Sequence, residues 1–223
     1  MLRQPTMGFP QISGIAALGF AGLIVLSNVI AVPAGLPLTG AEIGEVTAFF
    51  GAKGGIVGIS SALTPAAWVL ATLFGAGAVS ALRRSEHDRG EAWSLLGFTG
   101  LALQNAAFAG IIAIRLALAH DSTASSGLWG LHGALFTLNG TFLALAMLGL
   151  SIGGLRAGLL RSWHGTWGLV SAALMFGSAT LAPLVIDHAG PLGLLGLLGW
   201  LMWVVWIITY GITLIRLNRD QTR

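Results

Sequence analysis

Cysteine is absent from this chain of 223 residues, and that absence excludes disulfides, thiolate catalysis and sulfur-ligated metals. Charge is almost as scarce. Charged residues make up 9% of the sequence, where soluble domains average about 25%, so there is too little polar surface for a water-soluble fold. Lysine occurs once, at Lys53, and no basic soluble region is present to bind nucleic acid. No nucleophile elbow, phosphate loop or HExxH pattern occurs, which removes the motif-level routes to acyl transfer, nucleotide binding and zinc proteolysis.

What the chain does have is long apolar runs. Hydrophobic residues reach 55% and mean hydropathy is +0.85. Six stretches, at 11–33, 56–82, 92–119, 131–155, 167–186 and 192–215, meet the length of about 20 helical residues that a bilayer core requires. A helix satisfies its own backbone groups in lipid, so the expected fold is all-α: a single six-helix transmembrane bundle over residues 1–223. Nine arginines, at positions 3, 83, 84, 89, 156, 161, 216, 219 and 223, fall at one end of these spans, and only Lys53 falls at the other. The positive-inside rule then puts both termini in the cytoplasm. The near-exclusive use of arginine, with abundant alanine and glycine, fits a bacterial protein of the cytoplasmic (inner) membrane. The first span has too long an apolar core for a cleaved signal, and Pro33 spoils the cleavage pattern, so it is expected to be retained.

Between the first two spans, Thr39-Gly40-Ala41-Glu42 has capping-box spacing, and Ile43, Val46 and Phe50 recur at helical intervals. This predicts a short amphipathic helix over 40–52 lying on the external surface. In the second span Pro65 predicts a kink, with Ser60, Ser61 and Thr64 placed to satisfy freed carbonyls. Residues 83–89 read as a solvated cytoplasmic turn. Asn28 reads as an interhelical hydrogen-bonding residue. Trp93, Trp129, Trp163 and Trp167 read as interfacial belt residues. Gly149 and Gly153 form a small-xxx-small pattern, Gly193, Gly196 and Gly199 another thin face, and Trp200, Trp203, Trp206 and Tyr210 an aromatic series suited to helix or lipid packing, or to a flat apolar ligand such as a quinone, carotenoid or haem edge.

The polar exceptions converge on the outer half. Gln104, Phe108, Ile111 and Arg115 share one stripe of the third span, because eleven residues make nearly three helical turns. His132, Phe136, Asn139 and Leu143 share one stripe of the fourth by the same arithmetic. Arg115 either extends to the headgroups or pairs inside with Glu45, Asp121, Asp187 or an anionic ligand. These residues predict an outward-facing polar pocket of Gln104, Arg115, His132, Asn139 and Asp187. His120, His132 and His188 end three consecutive spans and form a candidate zinc or copper set, and His132 with His188 the best pair for haem.

The arrangement resembles a family of six-span bacterial membrane proteins of unassigned activity. The resemblance rests on the short external helix, Leu82-Arg83-Arg84, Leu131-His132-Gly133, and Gly158-Leu159-Leu160-Arg161 followed by Trp167-Gly168-Leu169. It implies the architecture and no reaction. The expected function is a non-enzymatic accessory or ligand-binding subunit, in contact with the lipid bilayer and with other membrane subunits or copies of itself. The alternatives are a redox subunit carrying haem or a transition metal, and a small-solute transporter using Gln104, Arg115 and Asn139.

Overall fold

The computed structural model describes residues 7–120, 126–185 and 192–217. Helix accounts for 88% of the described residues, and no strand occurs among them. The helices are α1 (Phe9–Ala31), α2 (Ile43–Ala62), α3 (Thr64–Arg89), α4 (Trp93–His120), α5 (Ser126–Arg156), α6 (Ser162–Thr180), the single turn α7 (Ala182–Val185) and α8 (Gly193–Arg216). Among the described residues five stretches are long and apolar enough to cross a membrane: α1, the α2–α3 run Ile43–Arg89, α4, α5 and α8. This is the fold of a helical membrane protein.

Six long helices close into a ring in chain order. Helix α1 packs on α3, α3 on α4, α4 on α5, α5 on α6, α6 on α8, and α8 returns to α1. Lipid offers no hydrophobic drive for one apolar helix to leave it for another, so these seams depend on close backbone approach. Gly97 and Gly100 of α4 face Leu150 and Ala146 of α5, and Gly149 faces Gly97 in return. Gly14 of α1 lies against Gly211 of α8, and Ser171 Oγ on α6 donates to the Gly199 carbonyl of α8 at 2.7 Å. The small-residue patterns at Gly149, Gly153, Gly196 and Gly199 therefore do mark contact seams.

Inside the ring Phe20, Phe74, Met147, Leu150, Trp206 and Tyr210 are fully buried. Phe74 meets Tyr210 edge-on at 5.4 Å and Phe20 meets Trp203 at 5.5 Å. The aromatic series of α8 is core packing, with Trp203, Trp206 and Tyr210 withdrawn from lipid.

The region around α2 departs from expectation. The segment read as a short helix over 40–52 is helical from Ile43, and a kink at Lys53, whose φ is −120° and ψ 20°, separates it from a second helical stretch that runs to Ala62. Glu42 is itself the N-cap, and its side chain makes no capping hydrogen bond, so the helix starts three residues beyond Thr39, the expected cap. The proline break appears where predicted, between α2 and α3. Pro65 has no N–H for the Ser61 carbonyl, and Thr64 Oγ1 donates to that oxygen at 2.6 Å instead. Asn28 donates to Ile24 of its own helix at 2.9 Å, and the interhelical bond is made by its neighbour Ser27, to the Ser60 carbonyl at 3.2 Å.

Residues 83–89 are likewise helical, ending at Gly90 in the left-handed conformation (φ 65°), a C-cap geometry that glycine adopts without strain. Glu86 is buried there and accepts from the Ser94 amide at 2.7 Å and its hydroxyl at 2.5 Å. A carboxylate from α3 thus holds the first turn of α4, where helix-start donors lack partners. Glu91 bonds Arg89 at 3.1 Å and Arg156 at 2.5 Å, tying the basic ends of α3 and α5 together.

Placing a side chain in the α4–α5 seam tests this packing. A Cβ on Gly100 would lie 2.8 Å from the Phe142 carbonyl and 2.9 Å from Ala146 Cα. Gly100→Leu is expected to cost about 2 kcal/mol or more by overpacking, read as a lower melting temperature in detergent. Gly22→Leu, where nothing lies within 4 Å, is expected to leave the melting temperature unchanged; equal effects would show that the seam is not the contact described.

Candidate functional site

The register of α4 against α5 decides which polar groups meet. With Gly100 opposite Ala146, a step of fifteen residues along α4 (100 to 115) meets a step of fourteen back along α5 (146 to 132), since both helices rise equally per residue. Arg115 and His132 are thereby brought together, and Arg115 Nε donates to His132 Nε2 at 3.0 Å. Arg115 is half-buried, and no carboxylate pairs with it among the described residues.

His132 is 1% exposed and its ring is held on both sides. Trp129 stacks on it with centroids 4.4 Å apart and planes 8° from parallel, and Phe136 lies parallel at 6.2 Å. Because Nε2 accepts from a guanidinium that is always a donor, the ring is neutral and its proton sits on Nδ1. That Nδ1 is buried and has no hydrogen-bond partner among the described residues.

Gln104 and Asn139 lie on the inner faces of α4 and α5, as their stripes predict, and both are 6% exposed. Their carbonyl oxygens are buried without partners among the described residues, as is that of Asn105, whose Nδ2 donates to the Trp68 carbonyl at 3.3 Å. Three amide acceptors and the His132 donor thus have unused hydrogen-bonding capacity inside the bundle. Such groups are costly to bury unmet.

The remaining expected members are not gathered here. His120 is exposed at the end of α4. Asp121, Asp187 and His188 lie outside the described residues. Among the described residues no group of three histidines and carboxylates is close enough to hold a metal. The nitrogen of His132 that faces α4 is engaged by Arg115, so a metal there requires the guanidinium to move.

A cavity of about 240 Å³ opens beside this pair, lined by Gly40, Ala41, Ile43, Ser126, Trp129, Gly130 and Gly133. Neither Gln104, Arg115 nor Asn139 lines it. Trp129 was expected at the membrane interface, yet it is 5% exposed, meeting Phe50 edge-on at 6.0 Å and stacking on His132. Helix α2 is what buries it: Val46, Phe49, Phe50 and Val57 pack with Ile114, Leu118 and Trp129 in one cluster.

A second polar group at the other end of the bundle was not singled out by sequence reasoning. His164 Nε2 lies 3.0 Å from the Trp206 carbonyl, and Trp206 Nε1 donates to Ser151 Oγ at 3.1 Å. His164 stands one turn into a helix among belt-like tryptophans, and only burial distinguishes it from a surface histidine. No family model matches this chain, and no curated protein or solved structure is similar to it.

The Arg115–His132 contact is testable by a double-mutant cycle on thermal stability. Arg115→Met and His132→Phe alone each leave a buried polar partner unmet and are expected to cost about 1–3 kcal/mol. The double variant is expected to recover much of that loss, because replacing both partners removes the unmet group. Simple addition of the two losses would show that the residues do not interact.

Proposed function

We propose that this chain is a ligand-binding or accessory subunit of the bacterial inner membrane that receives an anionic group at Arg115, toward its outer end. The observation that carries this reading is the contact between Arg115 and His132. A guanidinium stays protonated in proteins, and a neutral imidazole offers it a single acceptor and no countercharge. Charges drawn into a membrane bundle are normally compensated, and the positions of such charges tend to mark where ligands bind. A phosphate or carboxylate, which accepts two parallel guanidinium hydrogen bonds, supplies both the charge and the missing acceptors. The unmet amides of Gln104 and Asn139 extend the polar wall inward from the pair.

The topology belongs to the same proposal: six spans, with α6 as the fifth, and both termini cytoplasmic. In support, Arg83, Arg84, Arg89, Arg156, Arg161 and Arg216 share one end of the ring, while exposed Lys53 stands at the other. The resemblance to six-span bacterial membrane proteins points the same way. The lack of native cysteine allows a direct check. In intact spheroplasts a membrane-impermeant maleimide is expected to label Lys53→Cys, and to label Arg84→Cys only after lysis; the reverse pattern would invert the topology.

Ligand binding is tested by native mass spectrometry in mild detergent with phosphatidylglycerol and, separately, phosphatidylcholine. Phosphatidylglycerol is expected to be retained in preference, and Arg115→Gln to weaken its retention about tenfold or more, as loss of a charged hydrogen-bonded contact implies. Unchanged retention would overturn the reading. Equal losses of stability in Arg115→Gln and Asp187→Asn, with lipid retention unaltered, would place the countercharge within the protein instead.

A further inference from the structure

Helix α2 packs apart from the ring. Its buried side chains Val46, Phe49, Phe50 and Val57 form a cluster with α4 and Trp129, and none of them joins the hydrophobic cluster inside the bundle. The stretches on either side of Lys53 are held differently. Beyond it the chain is anchored, because Ser27 of α1 donates to the Ser60 carbonyl at 3.2 Å and Thr64 Oγ1 to the Ser61 carbonyl at 2.6 Å. Before it, residues 43–52 are held by apolar contact: among the described residues no side-chain hydrogen bond or ion pair ties them to another helix, and the Thr47 hydroxyl bonds Ile43 of its own turn.

The join between the two stretches is suited to bending. Lys53 has non-helical φ and ψ and stands between Gly51 and Gly55. Glycines in the α4–α5 seam sit where a neighbour leaves no room for a side chain, whereas a Cβ at Gly51 or Gly55 would meet nothing within 4 Å. Packing does not account for these two, and what glycine adds is backbone freedom. The far edge of the first stretch is loosely seated, since the cavity of about 240 Å³ lies between Ala41 and Ile43 on one side and Ser126, Trp129 and Gly133 of α5 on the other. Helix α3 alone, with 26 residues, is long enough to cross a bilayer core, so residues 43–52 can move without breaking the span.

We propose that residues 43–52 form a hinged lid that swings about Lys53 and uncovers Trp129 and, behind it, the Arg115–His132 pair. Phe50 of the lid meets Trp129 edge-on with centroids 6.0 Å apart, and Trp129 stacks on His132 at 4.4 Å, so the lid braces the pair through a single ring. Closed, it buries Val46, Phe49 and Phe50. Open, it frees the indole to turn aside and gives a headgroup-sized anion a way to Arg115. The role as a gate rests on the anion reading at that residue, while the motion does not.

The test is labelling of introduced cysteines in the full chain, in mild detergent, with a water-soluble maleimide; the chain has no native cysteine to compete. Val46 is 0% exposed and Val57, in the same cluster on the anchored side of Lys53, is 3% exposed. A rigid α2 would make Val46→Cys the slower to react, and the lid makes it the faster. Adding Gly51→Ala and Gly55→Ala is expected to slow Val46→Cys about tenfold or more, the combined helix preference of two alanines over glycine, and to leave Val57→Cys unchanged. Spin labels at exposed Glu45 and Leu138 leave the buried face intact and are expected to show two distance populations, one of which the alanine pair removes. Val46→Cys reacting no faster than Val57→Cys, no slowing by the alanine pair, or a single distance population would overturn the lid. Loss of the phosphatidylglycerol preference with the labelling contrast intact would overturn the anion reading alone, and the lid would stand.

Discussion

The close approach of α4 and α5 through Gly97, Gly100 and Gly149 is the contact on which the site around Arg115 and His132 depends. In lipid, two helices gain by touching only when their backbones come near enough for dense packing and short polar contacts. Glycines at these positions allow that and fix the axial register. Once the register is set, Arg115 stands opposite His132, and the amides of Gln104 and Asn139 are carried into the interior from facing helices. A slip of one residue would rotate a polar stripe toward lipid, where its groups would go unmet.

The bundle is unevenly satisfied. At the basic end several polar groups are matched, Glu86 with Ser94, Glu91 with Arg89 and Arg156, Trp206 with Ser151 and His164 with a backbone carbonyl, while the Tyr210 hydroxyl is buried without a partner among the described residues. Toward the other end Gln104, Asn139, His132 and Trp129 each keep a buried atom without a partner among the described residues. Unmet polar atoms of this kind are rare in folded proteins and tend to coincide with function.

Helix α2 connects the two proposals. It begins over the N-terminal end of α5, and its phenylalanines cover Trp129. Its break at Lys53 and the proline step at Leu63 let one stretch of chain lie over α4 and then enter the ring as α3. The cavity lies where the start of α2 meets the start of α5. Trp129 lies in that seam and braces His132, so movement of α2 bears on the charged pair.

Much of this was legible in the residues themselves. Long apolar runs, the shortage of charge and the clustering of arginines determine a helical membrane protein with its basic residues at one end, because lipid admits few other solutions for the backbone. The stripes of Gln104 with Arg115 and of His132 with Asn139 followed from helical periodicity. Periodicity describes one helix at a time. It cannot say that Arg115 meets His132 in preference to a carboxylate, that Trp129 leaves the interface to lie under α2, or that Glu86 turns from solvent to hold the start of α4. Those outcomes required the packing of helices distant in sequence, since the register between two helices is set by contacts that neither contains alone.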